Sequence, residues 1–345
     1  MDKEGDAAAK TITDALGAYR CARVRLPFKD FNECLLKNVA TGMISELLKD
    51  AKPLGGHTVE PFDHIAKLAT QRKKMNPEKA VDTGWEIFHN LMGGGSRERE
   101  VTILTADTGV GKTAWALNLL YRISGRVNTL IISGEEDNVE IFGRLITIYT
   151  KKPWATYYDN YAQLKSGSQV TEKDIEDANK FYSLKGTMFW CGETNLPINQ
   201  ITELIKFCHQ RYNTRFILID HLHHFIDADS GEHERFAIEK FLKGLNALVK
   251  NIPVHIMVIC HPNKEVGDNV RRVYMNQLKG SAAIKQYAWN VISLARNTEE
   301  GQTSVECWLQ KKRYSMARQG FCYFTVDNPD TAIYEQGTRG DYHDG

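Results

Sequence analysis

The chain has 345 residues, 42% of them apolar and 25% charged, with a formal net charge of +1. That length admits one large domain with a smaller attachment, or two domains. No stretch approaches the ~18 uninterrupted apolar residues of a membrane span, the leading MDKEGDAAAK has no apolar signal core, and so balanced a charge leaves any nucleic-acid surface to local patches. The cysteines at 21, 34, 191, 208, 260, 307 and 322 form no C-x-x-C pair and read as thiols of a reducing compartment.

Along the chain, DAAAKTITDALGAY has helical period, CARVRLP reads as a short strand ended by Pro27, and KDFNECLLKN opens a second helix with Asp30 as N-cap. Residues 49–82 change character. Proline and glycine bracket one amphipathic segment, FDHIAKLATQRKK, which reads as a linker carrying a helix. A new unit starts near residue 83, at DTGWEIFHNLMGGG. From there strand and helix patterns alternate. The strands expected are VTILTA, NTLIISG, TMFWCG, FILIDH, VHIMVICH and AWNVISLAR. Helical patterns between the first five make this an α/β unit, with a mostly parallel sheet covered on both faces. SVECWLQKK and QGFCYFTVD then predict hairpins extending that sheet, and GTRGDYHDG is a polar tail. The expected division is 1–48, 49–82 and 83–345.

The segment Ala106, Asp107, Thr108, Gly109, Val110, Gly111, Lys112, Thr113 fits the phosphate-binding P-loop, with alanine in place of the first glycine. Gly109 and Gly111 let the loop curl so that backbone N–H groups face phosphate oxygens. Lys112 can reach the β- and γ-phosphates, Thr113 can ligate Mg²⁺, and the helix running on from Ala114 aims its positive end at the anion. An apolar strand before and a helix after complete the context. Asp220, ending FILID, supplies the second carboxylate on the Mg²⁺ side. ATP, or another nucleoside triphosphate, and Mg²⁺ are thus the expected cofactors. Of the adjacent acids after NTLIISG, one can point at the γ-phosphate and hold the attacking water. We assign Glu135 to that place and read Glu136 and Asp137 as a solvated acidic turn.

The order of P-loop, strand-ending Glu, strand-ending Asp-His, VICHPNK, LKGSAAIKQYAWNVISLARN and LQKKRY resembles the RecA-type motor of hexameric replicative helicases. These are the DnaB family, in particular its Twinkle and phage primase-helicase branch. The resemblance covers roughly residues 83–330 and implies a RecA-like fold and an ATP-dependent helicase moving 5′ to 3′ on single-stranded DNA. It implies that His261 contacts the γ-phosphate, that Gln286 links the DNA loop to the phosphate site, and that Arg313, with Lys311 beside it, is an arginine finger supplied in trans. Arg296 would contact the base. DNA contacts are expected between His261 and Gln286, at Asn263, Lys264, Arg271, Arg272, Lys279, Gly280 and Ser281, where basic residues outnumber acidic ones.

The front piece is similar to the tail of a TOPRIM domain over residues 1–45. Its catalytic Glu strand is missing, and of the D-x-D pair only Asp2 could remain, so it is expected not to prime synthesis. The linker helix would pack on a neighbouring subunit. The partners implied are single-stranded DNA, copies of the same chain in a ring of six or seven, a primase and a replicative polymerase. The compartment implied is the cytoplasm of a bacterial or phage-infected cell, or the mitochondrial matrix. The competing readings are a RecA/KaiC-class ATPase that mediates recombination without unwinding, and a non-enzymatic ring-assembly module.

Overall fold

The computed structural model describes residues 3–16, 21–24, 26–49, 51–53, 70, 80–152, 154, 170–184, 187–193, 196–226, 234–262, 272–299, 302–313, 320–326 and 334–336. The chain divides into two compact units, Met1–Pro77 and Glu78–Gly345.

The first unit holds α1 (Lys3–Leu16), β1 (Ala22–Arg23), α2 (Phe31–Leu36), α3 (Thr41–Lys49) and β2 (Lys52–Pro53). Asp30 caps α2 as its position suggests, its side chain accepting the Glu33 N–H at 2.7 Å. The strand expected over 21–27 is only two residues long. Its antiparallel partner β2 is equally short and ends in Pro53, which has no N–H to extend the ladder. Of the linker helix expected over 62–74, only Thr70 is among the described residues.

The second unit is built on a nine-stranded sheet. In chain order it runs α4 (Glu86–Leu91), β3 (Val101–Ala106), α5 (Lys112–Ser124), β4 (Asn128–Ser133), α6 (Asn138–Thr150), α7 (Glu172–Leu184), β5 (Met188–Cys191), α8 (Ile198–Tyr212), β6 (Thr214–Asp220), α9 (Glu234–Asn251), β7 (His255–Cys260), α10 (Ser281–Tyr287), β8 (Asn290–Glu299), β9 (Gln302–Lys312), β10 (Gly320–Val326) and β11 (Tyr334–Gln336). The spatial order is β11-β10-β9-β8-β3-β7-β6-β4-β5. From β8 to β5 every pairing is parallel; β9, β10 and β11 add antiparallel hairpins at one side, as the sequence pattern predicts.

Both faces of the central strands are buried, so these strands are apolar throughout rather than alternating with polar residues. Successive side chains still go to opposite faces. Phe216 and Leu218 join one core layer with α5 and α6, while Ile217 and Ile219 join the other with α8 and α9. On the first face Trp85, Phe88, Trp115 and Phe324 form one aromatic cluster. Phe88 meets Trp115 edge-on at 5.2 Å, and Trp85 lies 4.6 Å from Phe324. This cluster ties α4 and the helix after the P-loop to the hairpin strand β10. Phe88 is fully buried there. Phe88→Ala should therefore cost about 3–5 kcal/mol, read as a lower urea midpoint with an unchanged m-value. A midpoint equal to wild type would show that the cluster is not a packing element.

Candidate functional site

The carboxyl ends of β3, β4, β6 and β7 lie at one edge of the sheet, because parallel strands all point the same way. Register makes this quantitative. Thr105 of β3 pairs with Cys260 of β7, and Ser133 of β4 pairs with Asp220 of β6. The P-loop, Glu135, Asp220 and His261 therefore leave the sheet at the same edge. In open α/β sheets this is the edge that binds ligands.

Gly109 and Gly111 take φ of +77° and +97°, values L side chains rarely adopt, and so turn the loop from β3 into α5. The Lys112 ammonium is only 7% exposed and donates to the carbonyl oxygens of Ala106 and Asp107, each at 3.1 Å. Burial lowers its pKa, against the pull of Asp107, Asp220 and Glu135. Asp107 accepts the Thr108 N–H at 2.7 Å, which fixes the start of the loop.

Asp220 is 1% exposed, and burial pushes its pKa up to about 7. The Thr113 hydroxyl lies near enough to pull that value down, yet among the described residues neither carboxylate oxygen completes a hydrogen bond of ordinary geometry. A buried carboxylate without a donor beside a hydroxyl is a good fit for a hard divalent cation. The two acids after β4 divide their roles. The Glu136 carboxylate accepts a two-pronged bond from Arg144, Nε to Oε2 at 2.9 Å and Nη2 to Oε1 at 2.7 Å. Burial raises its pKa and Arg144 draws it back. Asp137 caps α6 in a reciprocal box with Glu140. Asp137 is exposed, as expected from sequence, but Glu136 is partly buried in its pair with Arg144 and is not the solvated residue expected. Glu135 points to solvent, half exposed, with its Oε2 3.6 Å from His221 Nε2.

The residues around Asp220 include a group of imidazoles that sequence reasoning passed over. His221 lies 4.2 Å, ring to ring, from both His224 and His261; His223 is 5.9 Å from His261. Burial lowers His221 to about 3 and His223 to about 4, each further depressed by positive neighbours. His261 is lowered the same way. The string DHLHH was visible, but nothing in its spacing says that three rings and His261 converge. Tyr334 was equally unannounced. Its hydroxyl lies over Gly111 and is 3.5 Å from the Val110 carbonyl oxygen, while its N–H donates to Asn118 Oδ1 at 3.1 Å. Arg296 stands at this same edge, two residues past Leu294, which pairs with Ala106.

Arg313, Lys311 and Gln286 are brought together elsewhere. Arg313 donates to the Gln286 carbonyl oxygen at 2.8 Å and its guanidinium lies over Trp289. Lys311 donates to the carbonyl oxygens of Lys285 and Ala288, so both cations satisfy the free carbonyls at the end of α10. Burial, then the Arg313 charge, lowers Lys311 to about 8. Lys312 is level with Asn290, and Asn290 with Thr102. Arg313 thus sits at the amino edge of β3, about 13 Å of strand from the P-loop of its own chain.

Among the DNA candidates, Asn263, Lys264 and Arg271 lie outside the described residues. Arg272 stacks between Tyr274 at 4.4 Å and Trp308 at 4.0 Å. Lys279 pairs with Glu234 at 3.0 Å. Gly280, at φ +68°, starts α10, with Ser281 as its first residue. A bridge between Pro262 and Leu278 closes the base of this segment at the P-loop edge.

Comparison with known proteins agrees with this geometry. The family described as DnaB-like helicase C terminal domain matches residues 80–326. The chloroplastic/mitochondrial Twinkle homolog of Arabidopsis thaliana is 26% identical over 99% of this chain and 48% of its own length. The DNA helicase/primase of Enterobacteria phage T3 is 23% identical over 85% of the chain and 53% of its own length. The chain thus spans about half the length of the curated relatives it matches. A solved DnaB-like replicative helicase, described with its interactions with primase, superposes with a TM-score of 0.62 at 16% identity, covering 96% of this chain and 75% of that one. The RecA-like α/β fold is thereby established.

The unequal settings of the two acids can be measured. Glu136→Gln breaks the charged fork to Arg144 and should cost about 1–3 kcal/mol, whereas Glu135→Gln, at an exposed position, should stay within about 0.5 kcal/mol of wild type. Urea midpoints check both. Equal midpoints for the two variants would mean that the Glu136–Arg144 pair carries no structural weight.

Proposed function

Because the chain belongs to the DnaB-like helicase C-terminal domain family, we propose that it is an ATP-dependent DNA helicase that works as a ring, moving 5′ to 3′ along single-stranded DNA. One observation carries this reading. The P-loop and Arg313 stand at opposite edges of the same sheet, so a phosphate site served by both needs two copies of the chain.

In this reading Lys112 leaves its carbonyl partners and places its charge on the β- and γ-phosphates. Thr113 and Asp220 would hold Mg²⁺, which supplies charge neutralisation at the phosphates. Glu135 orients the attacking water and takes its proton, a role open to it because Glu136 is occupied by Arg144. His261 lies against the γ-phosphate, and Arg296 faces the base from the same edge. Across the subunit boundary Arg313, with Lys311 beside it, neutralises the charge that develops as the phosphoryl group departs. Because Arg313 is bonded to Gln286, movement of the finger is passed to the helix that follows the DNA segment.

We propose that DNA runs along residues 263–281, with Asn263, Lys264 and Arg271 as the phosphate contacts and Lys279, Gly280 and Ser281 beside them. Arg272, stacked between two rings, anchors the end of that segment rather than reaching a phosphate. The first unit is proposed to be a TOPRIM-like remnant, with residues 49–82 as a linker to a neighbouring subunit. A ring of six or seven copies, a primase and a replicative polymerase are the proposed protein partners.

Two experiments test this. Purified protein with ATP and Mg²⁺ should separate a forked duplex carrying a 5′ tail; hydrolysis that leaves the fork paired would favour a RecA/KaiC-class mediator. Glu135→Gln and Arg313→Ala chains should each lose turnover by about 10²-fold or more. Mixed together they should regain part of it, since some interfaces then pair two intact halves. Absence of rescue at every mixing ratio would overturn the shared-site assignment.

A further inference from the structure

The imidazoles beside Asp220 are not used up by this mechanism. His261 is assigned to the γ-phosphate, but His221 has no role in it. His221 is only 9% exposed, and among the described residues its Nδ1 has no hydrogen-bond partner. Its Nε2 faces Glu135 Oε2 at 3.6 Å, and its ring meets His261 edge-on at 4.2 Å. Donor atoms of Glu135, His221 and His261 all lie within 4.8 Å of one another.

We propose that Glu135, His221 and His261 form a second metal site, for a borderline-soft divalent cation of the zinc type, and that its occupation stops nucleotide hydrolysis. The donor set decides the class. Two imidazoles and one carboxylate hold zinc with a further position open. Mg²⁺ takes oxygen ligands and is poorly served by imidazole, so the oxygen pair of Thr113 and Asp220 and the nitrogen-rich set beside it select different ions. The site is accessible, because Glu135 is half exposed while the two rings behind it are held at strand ends.

The inhibitory half of the proposal rests on the role given to Glu135 above. A carboxylate bound to a cation cannot take a proton from water, and His261 bound to the same cation cannot follow the γ-phosphate. Occupation therefore removes both functions at once, without touching the P-loop.

Co²⁺ is the probe, because it enters zinc sites and reports its ligands by visible d–d absorption. The 345-residue protein in excess Mg²⁺ should develop that absorption on Co²⁺ addition and lose it when Zn²⁺ displaces the probe. His221→Asn and Glu135→Gln should each weaken Co²⁺ binding by more than about tenfold, the scale at which even outer partners of a metal matter. The Zn²⁺ concentration that halves hydrolysis should rise by a similar factor in His221→Asn, measured against that variant's own zinc-free rate. No absorption in wild type, or unchanged absorption in both variants, would overturn the site. So would a thiolate charge-transfer band, which would place the ion on the free cysteines. Should His221→Asn fail to fold, Glu135→Gln decides the matter, since that side chain is exposed. Wild type that binds Co²⁺ but never hydrolyses nucleotide keeps the metal site and removes the helicase reading; hydrolysis with no Co²⁺ binding does the reverse.

Discussion

A parallel sheet has two chemically different edges, and this constraint arranges everything in the second unit. β3, β4, β6 and β7 all run the same way, so the residues following them emerge on one side. The P-loop, Glu135, Asp220 and His261 are collected there by strand direction alone. The antiparallel hairpin β8–β9 then reverses the chain and returns it to the other side, where β9 ends beside Asn290. Arg313 is placed at that point by the same geometry that places Lys112 at the opposite one. In the proposed function, a cation and a phosphate cradle so separated act together between molecules. Assembly is, on this view, a consequence of strand direction before it is a property of any interface.

The interior of the site is kept close to neutral by burial. Asp220 is pushed toward its protonated form, His221 and His223 are held uncharged, and Lys112 is moved toward the neutral amine. Each shift has desolvation as its largest cause. In the absence of ligand this limits the cost of confining so many ionisable groups together. It also leaves them responsive. In the proposed function, a polyanion with its cation would favour the charged forms that burial disfavours, Lys112 by attraction to phosphate and Asp220 by attraction to the metal. The unpartnered oxygens of Asp220 and the carbonyl contacts of Lys112 are therefore two sides of one condition, a site whose polar groups are completed from outside.

Most of the fold was legible because its signals are local. Short apolar runs such as VTILTA and VHIMVIC lead into the P-loop and His261, and β3 and β7 fall where those runs do. The Asp30 cap and the P-loop glycines are likewise settled within a few residues. What stayed hidden depends on distant packing. Glu135 and Glu136 are adjacent and identical in type, and it is their distant partners, His221 for one and Arg144 for the other, that distinguish them. The imidazoles converge because β6 and β7 are neighbours, which no spacing within DHLHH records. Arg272 reads as a loop cation, yet it is held by Trp308, which lies on a strand formed later in the chain. Tyr334 reaches Gly111 across more than two hundred residues.

That last contact bears on how the two edges communicate. Tyr334 lies in β11, which pairs with β10, and β10 pairs with β9, the strand that leads to Lys311 and Arg313. From the P-loop helix, Trp115 touches Phe324 of β10 at 5.7 Å, while Asn118 holds the backbone of Tyr334. β9 is thus fastened at one edge, through its neighbours, to the first turns of α5, and at the other edge to the end of α10. Gln310 of the same strand accepts the Met275 N–H at 2.7 Å and grips Ser293, joining it to the segment that follows Arg272. β9 is paired along both sides, with β8 and β10, so it is held along its length. In the proposed function, phosphate cradle, finger and DNA segment are joined through one strand, which would let hydrolysis in one subunit be felt at its neighbour.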